Sequence, residues 1–422
     1  HTLDFRGRMY ANTAFLNPQG EDTAKGLLEF STGKAMGASG LAWLKVHISN
    51  SWGFDKASLE DRVEWTDDNE EMIMRVGIDP LASREWMEAD KPWQFLRSCF
   101  EYVCCNNNED YVSHLPVTVD GSCNGLQHFS AMLRDDIGGA ATNLINHEQP
   151  EDIYEIVRRE AENGMVLDNN PEFNIWGSGG CLSRALVKRP VMTTPYGATL
   201  YGMRDQIHEE LKKQLDKGVV FPGIDSSSDM WPHCKYLAFH IYEAIGRVVI
   251  SSRLGMKWLQ DVAKASNKLK RPIYWTLPTG FVVKQKYIRS IVKEIKTIIN
   301  GRMASLYAGS SDAEKMHSFR QVNGIAPNFV HSLDACHLMK TIVSARDNHG
   351  IESYAVVHDS FGTHACDIEQ LGTVLRETFV EIYKEDILKK FMEEQGDLDL
   401  PSLPEYGKLN IEDVKNAEFF FS

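Results

Sequence analysis

Residues 184–197 read Arg-Ala-Leu-Val-Lys-Arg-Pro-Val-Met-Thr-Thr-Pro-Tyr-Gly, and Arg184, Lys188, Met192 and Tyr196 recur every four residues. Steps of four drift slowly around a helix axis, so these side chains share one broad face. Two cations, a small apolar residue and an aromatic ring suit a nucleoside triphosphate, charged at one end and flat at the other. A solvated basic helix would show the same spacing. Pro190 leaves two courses open, because proline removes a helical donor and clashes one turn back. Either the helix kinks there or its regular part starts late.

Outward from this element, an aspartate stands on either side. Leu115-Pro-Val-Thr-Val-Asp120 reads as a short strand, turned by Gly121-Ser122 into a helix. Leu126, Phe129, Met132 and Leu133 give that helix its apolar side, and it should end near Gly138-Gly139. Tyr354-Ala-Val-Val-His-Asp-Ser-Phe-Gly362 reads as a buried strand, a turn at Asp359-Ser360 and a returning strand. An ionised carboxylate ending an apolar strand is costly unless its charge is compensated. Two that converge on one sheet edge repel unless cations lie between them, which is what two-metal phosphoryl chemistry requires. Taken singly, each aspartate also fits the plainer role of capping its turn.

The remaining chain is ordinary in composition, with 43% hydrophobic and 25% charged residues over 422 positions, enough for two or three domains or one large enzyme core. No apolar run approaches a membrane span. Residue 1 is His, so the chain reads as a processed or truncated piece. The net charge of −14 argues against a generic nucleic-acid binder, but its distribution is uneven. Segments 55–91 and 366–422 together carry −15, whereas residues 264–296 hold nine Lys or Arg and one acid, Glu294. A local basic strip can hold phosphates on an acidic protein. Eight scattered cysteines without a Cys-x-x-Cys argue against structural zinc and fit a reducing cytosol.

Helices are expected around 39–50, 92–104, 150–163, 203–217 and 236–265. The acidic, Trp-containing segment between the first two reads as a peripheral insertion. A hairpin is expected over Trp275–Val283, around Pro278-Thr-Gly280. Asn328 should cap a helix from Phe329 to about Arg346, with Leu333, Cys336, Met339 and Val343 buried. The tail after 366 reads as helical, then Pro-rich, ending Phe419-Phe-Phe-Ser422.

Three motifs in order carry a resemblance: Asp120-Gly-Ser-x-x-Gly-x-Gln-His128, Arg184-x-x-x-Lys-x-x-x-Met-x-x-x-Tyr-Gly197 and His358-Asp-Ser360. The set resembles phage-type single-subunit DNA-directed RNA polymerases, which share a right-hand fold with family A DNA polymerases. The likeness also takes in Asp4-x-Arg-Gly-Arg8, Asn17-Pro-Gln-Gly20 and Gly324-Ile-Ala-Pro-Asn-Phe-Val-His331, and so covers nearly the whole chain. It implies an α+β right-hand fold with an antiparallel palm sheet and mostly helical fingers. Residues 1–120 would be the first part of the palm with its helical insertion, and 121–325 the fingers. Residues 326–422 would complete the palm.

The resemblance further implies that Asp120 and Asp359 hold two Mg²⁺ ions, with the Gly121 carbonyl assisting. Arg184 and Lys188 would grip the β- and γ-phosphates, and Lys188 could protonate departing pyrophosphate. Tyr196 would pack beside the incoming base and report on the sugar, and His331 would order the ribose and primer end. Arg6 and Arg8 would touch the RNA–DNA hybrid and Tyr154 the template region, with Lys56 a further candidate for the triphosphate. The strip near 284–310 matches the position of the family's promoter-specificity loop. The implied activity is template-directed ribonucleotidyl transfer that transcribes phage or mobile-element genes in the cytoplasm of a bacterial host. Partners would be a DNA template, nascent RNA and ribonucleoside triphosphates, with no membrane.

Departures from the family pattern matter too. The family's promoter-binding domain and thumb, which usually precede Asp4, are expected to be absent, so a second polypeptide could supply them. The stretch between Asp120 and Arg184 is short, which implies trimmed outer fingers. A family A-like DNA polymerase or reverse transcriptase is disfavoured by Gly121, which leaves room for a 2′-hydroxyl, and by Ser360. A catalytically silent binding subunit is opposed by retention of both aspartates, Arg184, Lys188 and Tyr196.

Overall fold

The computed structural model describes residues 1–106, 108, 110–168, 170–225 and 229–422. It is α+β: mostly helical, with small antiparallel sheets. Its central sheet has three strands in the order Ala355–Val357, Ser360–His364, Pro116–Asp120. Register sets Ser360 opposite Asp120 and Phe361 opposite Val119. Val117, Val119 and Phe361 are buried on one side, as period-2 alternation requires. Helices Gly37–Trp52, Ser318–His349 and Ile368–Lys384 contribute to the same apolar core.

A second core forms among helices Ile153–Val166, Arg184–Thr193, Leu200–Asp216 and Trp231–Val248. The helix Asn124–Leu133 joins the two cores. Leu126 packs in the second, Phe129 and Leu133 in the first, and all ten of its residues are buried. A helix buried on every side must be apolar or hydrogen-bonded throughout. Gln127 accordingly donates to the Thr142 carbonyl (2.9 Å) and the Phe420 carbonyl (3.1 Å). No helix among the described residues is long and apolar enough to cross a membrane.

Several elements differ from the sequence expectation. The helix expected to start after Asn328 begins at Ser318, with His317 as its cap accepting from the Arg320 amide. Asn328 lies within it, following Pro327, and donates to Gln285 Oε1 (2.7 Å) and Tyr287 Oη (2.9 Å). Those bonds give a polar residue in a buried helix its partners, so Asn328 pins the helix to the neighbouring strand rather than capping it. Leu333 and Cys336 are buried, but Met339 is half-buried and Val343 exposed. The helix expected to run to Gly138 stops at Arg134, whose φ of 56° is left-handed, and a short helix Asp136–Ala141 follows. The expected 236–265 helix is two, separated at Val249.

The end of the basic strip folds into a long hairpin, Ile288–Ile299 with Arg302–Met316, beyond the expected shorter one at Ile273–Thr276 and Val282–Gln285. Asn300 and Gly301, both at positive φ, make its two-residue turn. At Pro190 the regular part of the helix does not start late. The helix begins at Arg184, runs through Pro190 to Thr193, and tightens into a 3₁₀ turn over Thr194–Tyr196 that ends at Gly197. The Thr194 hydroxyl donates to the Pro190 carbonyl at 2.9 Å. The four-residue face therefore holds through Met192, and the tightened turn delivers Tyr196 toward the helix Ser318–His349.

Candidate active site

The strand register joins the two aspartates. Asp120 ends its strand opposite Ser360, and the Gly121 amide donates to the Asp359 carbonyl at 3.2 Å. Burial raises the Asp359 carboxyl above its usual range, and the charges of Asp334 and Asp120 raise it further. Among the described residues neither Asp120 nor Asp359 forms an ion pair. The C-terminal residues close this edge, Phe421 bridging to Gly121 and Ser422 donating its amide to the Asp120 carbonyl at 3.2 Å. A Cβ at residue 121 would meet Gln127 Oε1 at 3.1 Å and the Phe421 ring at 3.2 Å. Close packing thus gives Gly121 a reason independent of any sugar. Its carbonyl accepts from the Cys123 amide at 3.0 Å.

The Arg184–Thr193 helix faces this edge. Asp152 caps the Ile153–Val166 helix through one carboxylate oxygen, and the other accepts from Arg184 Nε. The guanidinium lies over the Tyr154 ring, 4.9 Å from its centroid. Arg184 Nη2 is buried without a hydrogen-bond partner. Such a donor is costly to leave unmade, and an anion in the adjoining cavity would satisfy it. Burial, then the charges of Arg184 and Lys56, lower the Lys188 ammonium below the ordinary lysine value. Lys56 is paired with Asp55 at 2.9 Å and remains half-exposed.

A cavity of about 360 Å³ collects these groups. Asp120, Gly121 and Asp359 form one part of its lining, and Lys56, Tyr154, Arg184 and Lys188 another. Tyr196, His331, Arg6 and Arg8 build an adjoining cluster. The Tyr196 and His331 rings pack at 4.7 Å between centroids, tilted by 40°, and burial keeps the Tyr196 phenol protonated. Arg6 Nη1 donates to His331 Nδ1 at 2.8 Å. That nitrogen must therefore accept, which leaves the imidazole proton on Nε2 as a donor. Burial and the charges of Arg8 and Arg6 push the His331 pKa down to about 2, so the ring is neutral.

Both arginines already hold carboxylates. Arg6 Nε donates to Asp4 at 2.8 Å. Arg8 makes 3.1 and 2.7 Å bonds to Asp334, whose other oxygen accepts from Asn124 at 2.8 Å. Sequence reasoning missed Asp334, although an aspartate among apolar helix residues is itself a signal of a buried partner. It also missed Arg62, which is buried and donates to the Ala57 carbonyl (3.0 Å) and Asn50 (3.1 Å), steadying the loop that carries Lys56.

A family model described as DNA-dependent RNA polymerase matches residues 34–397. The chain belongs to this family. It is 36% identical over 475 residues to T7 RNA polymerase of Escherichia phage T7, a match that takes in all of this chain and 53% of that protein. It is 37% identical over 440 residues to the mitochondrial DNA-directed RNA polymerase 1B of Nicotiana tabacum, covering all of this chain and 42% of the relative. The DNA-directed RNA polymerase of Enterobacteria phage T3 is 35% identical over 479 residues. The chain spans about half the length of these relatives. Because they come from phages and a plant organelle, the family is not confined to the cytoplasm of bacteria.

Among the described residues no three His, Cys, Asp or Glu side chains form a ready-made metal cage. Mg²⁺ does not need one, since it binds through one or two carboxylates plus substrate phosphates and water. Asp120 and Asp359, two unpaired carboxylates at a shared edge, fit that requirement.

Proposed function

We propose that this chain carries the nucleotide-adding site of a DNA-directed RNA polymerase, extending RNA on a DNA template and releasing pyrophosphate. The observation that carries the reading is the single cavity that sets Asp120 and Asp359 with Arg184, Lys188 and Lys56. Phosphoryl transfer asks a protein chiefly for positioning and charge neutralisation, and this lining supplies both. The 3′-hydroxyl oxygen of the growing strand bonds to the α-phosphorus, its proton passing to solvent, as the bond to the α,β-bridging oxygen breaks. Arg184 would hold the β- and γ-phosphates through its unpartnered Nη2. Lys188, its proton loosened by burial and like-charged neighbours, would donate to the departing pyrophosphate. Mg²⁺ bound by Asp120 and Asp359 would neutralise charge on the reacting oxygens.

The sheet-centred core corresponds to a palm and the four-helix core to fingers, with the Asn124–Leu133 helix between them. The hairpin Ile288–Met316 fits the specificity element, since a two-stranded ribbon with cations can enter a major groove. DNA template, RNA and ribonucleoside triphosphates are the proposed partners. Functions housed in the rest of the relatives' length would come from the same polypeptide or a second one.

Ribose choice falls to Tyr196 and to the Nε2 proton of His331. Tyr196→Phe should keep ribonucleotide addition within about threefold while reducing discrimination against deoxynucleotides about tenfold or more, because the ring stays and its hydroxyl is lost. Competition between ribo- and deoxynucleotides reads this directly, and unchanged selectivity would make the hydroxyl structural. The function itself is tested by extending an RNA primer on a preformed RNA–DNA scaffold. Ribonucleotides should be added far faster than deoxynucleotides. The reverse preference would favour a DNA polymerase, and no extension with intact scaffold binding a silent binding subunit.

A further inference from the structure

Asp120 lines two cavities. One is the triphosphate cavity described above. The other, of about 340 Å³, is lined by Pro116, Val357 and Ser360 of the sheet edge and by Asn12, Thr13 and Asn17 of an N-terminal loop. Three residues belong to both linings: Asp120, Thr118 and Lys91. Thr118 and Asp120 share a strand face. Lys91 reaches the common wall from another element, the start of helix Pro92–Cys105.

Its backbone is fixed. The Lys91 amide donates to the Ser51 carbonyl at 3.0 Å, its carbonyl accepts from the Phe95 amide at 2.9 Å, and Pro92 follows as first residue of the helix. Among the described residues the Lys91 ammonium makes no ion pair or hydrogen bond. A half-buried cation held on a rigid stem, with no hydrogen-bond partner among the described residues, is free to take an anion. Its charge and that of Asp120 both act on the buried His47 ring, whereas the cations acting on Lys188 are Arg184 and Lys56. Lys91 therefore lies at the carboxylate edge as well as in the lining it shares with Arg184 and Lys188.

In-line displacement sets which molecule it meets. The attacking oxygen must approach the α-phosphorus opposite the leaving pyrophosphate. Arg184 and Lys188 line only the first of the two cavities, so with pyrophosphate on them the second cavity, across Asp120, is on the side from which the growing strand would enter. We propose that Lys91 binds a backbone phosphate next to the 3′ end of the growing strand, at the wall the two cavities share. The polar loop residues Asn12 and Thr13 suit the sugar and backbone of the same strand, and Asn17 steadies that loop by donating to the Thr13 carbonyl at 2.8 Å. The charged groups otherwise lining that cavity are Lys25, Glu29 and the N-terminal residue, and Glu29 is already paired with Arg97 at 3.2 Å. This inference rests on the proposed function, from which the strand's direction of entry follows.

The test uses the full chain, an RNA–DNA scaffold and the variants Lys91→Ala, Lys91→Gln and Lys91→Arg. Scaffold affinity is measured without nucleotide over a salt series, and KM for the next ribonucleotide is measured by single-nucleotide extension. Lys91→Ala and Lys91→Gln should weaken scaffold binding about fivefold at low salt and flatten the log–log salt slope by about one. KM should stay within about twofold, and Lys91→Arg should restore binding. A raised KM with unchanged scaffold affinity would assign the ammonium to the triphosphate and overturn the inference. No change in either quantity would make Lys91 an ordinary surface lysine and also overturn it. The two levels separate cleanly: a wild-type chain that binds scaffold but never extends it refutes the proposed function, while a wild type that extends and a Lys91→Ala that binds equally refutes only this inference.

Discussion

Asp359→Asn should abolish nucleotide addition, lowering the single-turnover rate by about 10³-fold or more, and Asp120→Asn should do the same. Asn keeps the shape of Asp but has neither the charge nor the second acceptor that holds a divalent cation. The fold should not suffer. Among the described residues neither carboxylate anchors an ion pair, and the edge is held by backbone bonds, from Gly121 to Asp359 and from Ser422 to Asp120. Thermal unfolding within about 2 °C of wild type, with intact scaffold affinity, is the expected companion result. Since the two act as one unit, the double variant should be scarcely slower than either single one. Retention of more than a few per cent of Mg²⁺-dependent activity in both single variants would remove the metal assignment.

Lys188→Ala should lower kcat by about 10²- to 10³-fold, the range of a general acid, with the larger share in kcat rather than KM. Arg184→Ala should act mainly on KM, because Arg184 is held by Asp152 and Tyr154 in a binding posture before substrate arrives. The two are distinguished by pH. A general acid must be protonated, so the wild-type rate falls as pH rises through the Lys188 pKa. Burial and the charges of Arg184 and Lys56 bring that limb below the ordinary lysine value of 10.5. The alkaline limb should vanish in Lys188→Ala and persist in Arg184→Ala. Equal loss in kcat and KM for both variants, with unchanged pH profiles, would reduce Lys188 to a second phosphate clamp.

Local pattern made the sheet and the cationic helix legible. Strand alternation around Val117 and Val119 and the Asp-Ser turn at 359–360 are short-range signals. They place both aspartates at strand ends, though not on adjacent strands. That adjacency comes from the Ser360 to Asp120 register, which depends on contacts 240 residues apart in the chain. Asn328 misled for a physical reason. An asparagine after a proline looks like a helix start, yet its amide is satisfied by Gln285 and Tyr287 from a distant strand. The long hairpin was obscured by its charge, although Asn300-Gly301 is a strong turn signal. Lys91 and Arg62 have no local signature, and the apolar setting of Asp334 signals a buried partner without naming it. Their roles arise only when the chain brings Asp120, Asn50 and Arg8 beside them.

The central claim is that base pairing directs ribonucleotide addition at the Asp120–Asp359 edge. Its most direct test is single-turnover extension of an RNA primer on four scaffolds that differ only in the next template base, each offered the four ribonucleotides separately with Mg²⁺. The expected result is addition of the complementary nucleotide alone on each scaffold, with one pyrophosphate released per nucleotide added and none in Asp359→Asn. Addition that ignores the template base, or that survives Asp359→Asn, would contradict it.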